Sequence, residues 1–334
     1  MKLTELGEFG FIDRIARLLT THDSRVVKGI GDDCAVIQIS EDTNLLVTTD
    51  LLIERTHFLL DWQSAQTLGS KALSVNLSDI AACGGIPKEA FVSLAIPDRL
   101  GIEWLEDFYR GMAGLADRFG VSVIGGDTTH SLSDLVINVA VTGFVGTQEV
   151  LLRDGARPGD LIAVTGVLGD SAAGLASLLK RISAPSHTNS GLVETHLNPR
   201  PHIHEGRKLA QSGFCHAAID ISDGLSSDLG HLCDQSGVGA IIFEDKIPVS
   251  EALKKLAQEL AVSPLDWALN GGEDYVLLAA IDKDKFHQLA KVAATDGWTL
   301  IEIGEFLSEP GMSLLKISGE QISLIPKGWD HFRA

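Results

Sequence analysis

The sequence predicts an α+β protein of two domains, and three observations carry that reading. The chain has 334 residues, about twice the roughly 150 that one domain commonly takes. Its composition, 45% hydrophobic and 22% charged, supplies real cores within an ordinary globular balance. Strand-like apolar runs and helical patterns mix without the regular spacing of a doubly wound sheet, so helices are expected on one face of a mostly antiparallel sheet.

In chain order, Phe9–Leu19 carries apolar residues at helical spacing. Two β-like runs follow, Ala35–Ile39 and Asn44–Thr49, and Ser64–Ala82 is a long helical pattern stopped by Gly84-Gly85. Within that helix Asn76 and Asp79 are three apart and share a face. Phe91–Ile96 is a strand closed by Pro97, Glu103–Phe119 a helix ending at Gly120, and Val121–Ile124 and Leu135–Val145 are strands. A domain boundary is placed near residue 150, dividing the chain into 1–150 and 151–334.

Beyond it, Arg157-Pro158-Gly159-Asp160 is a turn before the strand Leu161–Thr165. Helices are expected over Gly169–Lys180, Pro201–Ser212, Gly224–Ser236, Glu251–Glu259 and Lys283–Asp296. Strands are expected over Cys215–Ile221, Gly239–Phe243, Tyr275–Ala280 and Leu300–Ile303, with Ser183–Gly191 as a polar loop.

A formal charge of −18 argues against a nucleic-acid footprint, which needs a basic face. It leaves room for a nucleotide whose charge a metal ion screens. Cys34, Cys83, Cys215 and Cys233 form no C-x-x-C pair, so neither disulfides nor a cysteine zinc site is expected. The first residues carry acid where a signal peptide carries base, and no apolar run approaches membrane-spanning length. A soluble, cytoplasmic protein is expected.

The most informative stretch is Gly29-Ile30-Gly31-Asp32-Asp33-Cys34-Ala35, where two glycines turn the chain into adjacent carboxylates. Leu45–Asp50, Val121–Asp127 and Ala217–Gly224 repeat the same grammar: an apolar run delivers carboxylates into a turn. Carboxylates gathered without matching cations repel one another, so a bound cation is expected. Mg²⁺ demands hard oxygen ligands and shares them with phosphates. This makes Asp32, Asp33, Asp50, Asp79, Asp127, Asp220 and Asp223 the metal candidates. Each of them taken singly also fits an Asx turn or a helix N-cap, and Asp223-Gly224 is a ready cap.

Gly125-Gly126-Asp127-Thr128-Thr129 has the form of a phosphate-cradling turn, although an ordinary strand-to-loop turn has the same residues. There is no P-loop and no dinucleotide fingerprint. Arg153 is either a phosphate clamp or a solvated linker residue. His57 is a candidate phosphate contact or a structural histidine. Glu273 either faces a cationic group or caps a strand, and Trp329 either stacks on a flat ring or anchors the tail. No Ser/His/Asp or Cys/His grouping is legible, so no covalent catalyst is assigned.

Together these stretches resemble the thiamine-monophosphate kinase family, of the superfamily that includes aminoimidazole ribonucleotide synthetase and selenophosphate synthetase. The matching pieces are Gly29–Ala35, Thr48–Asp50, His57-Phe58, Lys71–Ala82, Val123–Thr129, Leu151–Gly159, Thr165–Gly174, Ile219–Gly230, Gly271–Tyr275 and Lys327–Phe332, in order through nearly the whole chain. Ser183–Thr195 and about Lys283–Gln321 match poorly. The resemblance implies ATP-dependent phosphorylation of thiamine monophosphate by direct in-line transfer with several Mg²⁺ ions. It implies Asp33, Thr48, Thr49, Asp50, Asp79, Asp127, Asp220 and Asp223 as metal ligands. Gly126, Asp127, Arg153 and Ser222 would contact ATP, and His57, Glu273 and Trp329 would line the thiamine phosphate pocket. It also implies a homodimer in which N-terminal sheets join as a barrel.

Two rivals fit less well. A sister ATP-dependent synthetase of the same fold is one; the selenophosphate branch carries a reactive Cys in an N-terminal Gly-rich loop, which Met1–Val27 lacks. The other is an acidic cation-binding protein, but no calcium loop with the Asp-x-Asp-x-Asp-Gly pattern is present.

Overall fold

The computed structural model describes residues 2–179 and 187–332. The first half contains α1 (Leu3–Ala16), β1 (Val26–Lys28), β2 (Ala35–Gln38), β3 (Thr43–Ile53), α2 (Ala65–Ala82), β4 (Ile86–Pro97), α3 (Ile102–Phe119), β5 (Ser122–Ser131) and β6 (Val136–Gly146). Its strands form a sheet in the order β1-β2-β3-β6-β4-β5, antiparallel except for the β4–β5 pair. In β6, Ile137, Val139, Val141 and Val145 alternate with less buried residues, so one face of the sheet packs on helices. That face meets α2, which in turn packs on α3. A Cβ at Gly69 would lie 1.9 Å from the Phe108 carbonyl oxygen, and one at Gly111 1.8 Å from that of Gln66. The two helix backbones touch because glycine faces each contact.

The second half contains β7 (Leu161–Val164), α4 (Asp170–Leu179), α5 (His187–Leu197), α6 (Ile203–Ser212), β8 (Cys215–Asp220), α7 (Leu225–Ser236), β9 (Gly239–Phe243), α8 (Glu251–Leu260), α9 (Pro264–Asn270), β10 (Leu277–Ile281), α10 (Phe286–Thr295), β11 (Ile301–Leu307), β12 (Gly311–Leu315) and β13 (Gln321–Ser323). The sheet order is β13-β12-β9-β11-β7-β10-β8. Strands β7 and β10 are buried along their whole length, as expected for strands covered on both faces. Helix α2 joins the halves: it touches β3, β4 and β6 on one side and α5, α6 and β8 on the other.

Several expectations need correction. The α+β layering holds, but no barrel is formed: among the described residues neither sheet closes, and β1 and β5 are opposite, unpaired edges. Closure requires the first and last strands to pair along their length, and β1 has 3 residues against 10 in β5. Gly125-Gly126-Asp127 is not a turn but the interior of β5. Part of the expected 183–191 loop is the start of α5, while residues 183–186 lie outside the described set. The first helix begins earlier than its periodicity suggested and is broken at Gly7, where φ is 75°. All four cysteines are free and buried, and among the described residues no helix is long and apolar enough to cross a membrane.

Candidate active site

Three carboxylates from three elements converge between the two sheets. Asp33 precedes β2, Asp79 lies near the end of α2, and Asp220 ends β8. One oxygen from each lies within 4.8 Å of the others. Their order of arrival follows from the pattern in the sequence. Asp220 is the terminal acid of an apolar strand, Asp33 lies in the turn that leads into one, and Asp79 is carried by a helix.

Neighbouring side chains hold these acids in place. Ser78 Oγ donates to Asp220 Oδ2 at 2.5 Å, and Thr48 Oγ1 donates to Asp79 Oδ2. The amide of Asp50 donates to Asn76 Oδ1 at 3.1 Å, so the shared helix face of Asn76 and Asp79 is used by both. Arg153 donates from Nε to Asp33 Oδ1 at 3.1 Å and also from Nη2, while its backbone amide donates to Asp32 Oδ2 at 3.1 Å. Nη1 of Arg153 has no protein partner among the described residues.

Burial, and then the neighbouring carboxylates, push these acids upward: Asp33 to about 8 and Asp50 to about 6. Burial likewise raises Asp220 to about 6 and Asp223 to about 7. Asp79 is raised well above the carboxylate range by burial and by Asp50, Asp220 and Asp33. Asp33 Oδ2 is buried with no hydrogen-bond partner. A carboxylate that meets two others and keeps one hard oxygen unpaired is the donor chemistry that Mg²⁺ takes, so the residues fit that ion. A second grouping, Asp32, Asp33 and Cys83, shares Asp33 with the first.

Asp223 follows in the loop after β8. It does not act as the N-cap that its position allowed. Gly224 occupies the cap position, with φ 109° and no side-chain cap. The carboxylate of Asp228 instead accepts the amides of Asp223 at 3.2 Å and Gly224 at 3.0 Å. Asp223 is thereby left free of helix duty.

The candidate substrate residues gather beside this loop. The Glu273 amide donates to the Ser222 carbonyl at 2.7 Å and the Trp329 amide to the Asp223 carbonyl at 3.1 Å. His57 Nδ1 accepts the Ile53 amide at 2.9 Å, and its ring lies 4.9 Å from that of His331. Trp329 Nε1 donates to His331 Nδ1 at 3.2 Å, with the indole itself about half exposed. Burial opposes ionisation of Glu273, yet the Lys71 charge and His196 hold it at about 2. The sequence assigns no role to Lys71 or His196. The available signal was a lysine inside an otherwise apolar and small-residue helix face.

Gly126 and Asp127 stand apart. Asp50 pairs with Val139, Val139 with Val92, and Val92 with Gly126, which puts Asp50 and Gly126 three strand spacings apart, roughly 14 Å. Gly126 and Asp127 are exposed on the edge strand. Thr49 is exposed on β3, where its Oγ1 accepts Asn138 Nδ2 at 2.8 Å.

Comparison with known proteins agrees with this architecture. Residues 31–145 match the family model of the AIR synthase related protein N-terminal domain, and 157–316 match that of the C-terminal domain. The chain is 37% identical over 332 residues to the thiamine-monophosphate kinase of Aquifex aeolicus, covering 99% of this chain and 100% of that protein. It is 39% identical over 328 residues to that of Escherichia coli K12, covering 98% of each. The solved structure described as AaThiL complexed with AMPPCP and TMP superposes with TM-score 0.87 at 36% identity, over 99% of both chains. With both halves matched and near-complete overlap at this identity, the chain belongs to the thiamine-monophosphate kinase family, within the AIR synthase related proteins.

Proposed function

We infer that this protein phosphorylates thiamine monophosphate with ATP, giving thiamine diphosphate and ADP. The observation that carries this reading is the convergence of Asp33, Asp79 and Asp220, with one Asp33 oxygen left unpaired, in a chain of this family. Phosphoryl transfer asks little covalent work of a protein; it needs two anions aligned and their charge offset. Mg²⁺, when bound, supplies that charge neutralisation and clamps phosphate oxygens. Asp33, Thr48, Thr49, Asp50, Asp79, Asp127, Asp220 and Asp223 are the residues that would hold several such ions. Of these, Thr48 also steadies Asp79.

Gly126, Asp127, Arg153 and Ser222 would contact the nucleotide. Arg153 spends Nε and Nη2 on Asp33, which leaves Nη1 to meet a phosphate. His57, Glu273 and Trp329 would line the thiamine phosphate pocket. Trp329 offers a flat face to the rings and Glu273 a negative charge to the thiazolium. The substrate phosphate is already ionised at neutral pH, so no general base is needed and direct in-line attack follows. In this reading residues 1–150 provide the nucleotide and metal portion, and 151–334 complete it with Asp220, Asp223 and Glu273.

The same reading makes the working unit a homodimer. Gly126 and Asp127, roughly 14 Å from the Asp50 row position, serve the site most simply across to a second copy. Support comes from an apolar groove of about 530 Å³ beside β5, lined by Leu94, Ile96, Ile102, Leu105 and Tyr109, and from the exposed Val123 and Ile124 on β5 itself. Apolar surface of this kind marks association faces.

Phosphorus NMR of the protein with Mg²⁺–ATP and thiamine monophosphate tests the reaction. ADP should appear together with the paired signals of thiamine diphosphate, and EDTA should abolish both. ATP binding without thiamine diphosphate would reassign the His57–Glu273–Trp329 pocket to another acceptor.

A further inference from the structure

Among the largest fully buried side chains of the described residues is a lysine. Lys71 sits on α2 with 1% of its side chain exposed. Its Nζ donates to Glu273 Oε2 at 2.9 Å and to the His196 carbonyl at 3.0 Å. Burying an ammonium costs several kcal/mol, and a buried ion pair is often no more stabilising than apolar residues of the same shape. Packing alone would be served by leucine or methionine at this position, so the lysine's presence points to a task.

The task is visible in how Glu273 is held. His196 is 3% exposed, and its Nδ1 lies 3.0 Å from Glu273 Oε2 and 3.0 Å from Ser171 Oγ. The adjacent Asp274 accepts the Gly169 amide at 2.7 Å. The backbone here is left-handed at two non-glycine residues, Glu273 at φ 65° and Tyr275 at φ 52°. Such strain persists where surrounding contacts over-determine it, commonly at functional sites. Among the described residues, every side-chain contact to the Glu273 carboxylate goes to Oε2. The Glu273 side chain nevertheless keeps 23% of its surface exposed, and Oε1 takes part in none of these contacts. His57 lies close enough to feel the charges of both Glu273 and Lys71.

We propose that Lys71 and His196 are positioning residues that clamp Glu273 Oε2 so that Oε1 is presented to the thiazolium cation of thiamine monophosphate. The clamp spans the molecule: α2 contributes Lys71, the end of α5 contributes His196, and the loop before β10 contributes Glu273. It would bear on recognition of the thiamine moiety. This inference rests on the assignment of Glu273 to the substrate pocket.

Steady-state kinetics of full-length Lys71→Met, Glu273→Gln and the double variant test it, with KM measured separately for thiamine monophosphate and ATP. Each single variant should raise KM for thiamine monophosphate by roughly tenfold or more, the scale of a lost charge-assisted hydrogen bond. KM for ATP should be unchanged. The double variant should match Glu273→Gln, because both changes remove one interaction. It also removes the stranded charge, so it supplies the readout if Lys71→Met folds poorly.

A merely structural lysine would move both KM values or neither. If Glu273→Gln raises KM for thiamine monophosphate while Lys71→Met does not, the clamp is overturned and the pocket stands. A double variant whose losses multiply likewise overturns the clamp. If Glu273→Gln itself leaves that KM unchanged, the pocket assignment fails and the clamp fails with it.

Discussion

Replacing Asp220 by asparagine separates the cost of gathering carboxylates from their use. Asp220 is 2% exposed, and burial raises its carboxyl from 3.8 to about 6. A folded-state value above the unfolded one means that the folded form holds the proton more tightly. Stability from this group is therefore full below about pH 4, is lost as pH climbs toward 6, and stays lost above it. The gap of about two decades, at about 1.4 kcal/mol each, is a penalty on the order of 3 kcal/mol at pH 7.5 in the metal-free protein. Asparagine is neutral, and its Oδ1 can still accept the Ser78 hydroxyl. Asp220→Asn should thus stabilise the EDTA-treated protein by up to about 3 kcal/mol, a rise of several degrees in Tm. The gain should shrink on acidification to pH 4. Mg²⁺ should raise the wild-type Tm far more than that of the variant, and turnover should fall strongly. Thermal unfolding from pH 4 to 8, with EDTA or Mg²⁺, reads all of this. A variant no more stable than wild type in EDTA at pH 7.5 would refute the electrostatic reasoning; near-normal turnover would remove Asp220 from the metal set.

Two further outcomes follow from the same geometry. Burial leaves Asp33 at about 8 and Asp223 at about 7, and metal ligation requires both ionised. Mg²⁺ affinity should therefore weaken steeply as pH falls from 8 to 6, with net proton release on binding. Calorimetry in buffers of different ionisation enthalpy measures that release, and its absence would count against these ligands. For the homodimer, light scattering should give the mass of two chains. Ile124→Asp on the exposed face of β5, where Ile124 is 59% exposed, should shift that mass toward one chain. A wild-type monomer would overturn the dimer.

The periodicity of single segments was enough to locate much of the fold. Helix α2 is expected over Ser64–Ala82 and found over Ala65–Ala82, with Ser64 as its cap, because capping and an apolar interior act within a few residues. The same local reasoning missed β12, β13 and α9, whose sequences carry weak periodicity. It also read Gly125–Asp127 as a turn, since glycines signal turns unless a neighbouring strand recruits them. Here β4 does so: Phe91, Val92 and Ser93 pair with Gly125, Gly126 and Asp127. For the site, the chain by itself determined which residues are short acids at the ends of apolar runs, and the family pattern to which they belong.

Only the tertiary structure decided which of those acids meet. Ser78 reaches Asp220 across 142 residues and Lys71 reaches Glu273 across 202, through the packing of α2 between two sheets. The structure likewise left Asp127 on an outer edge, left the N-terminal sheet open where part of a joined barrel was expected, and gave Glu273 a buried cation. Burial of each element's apolar face is a local property, readable from spacing. The approach of two charged groups depends on how those faces stack, and no run of sequence contains that information.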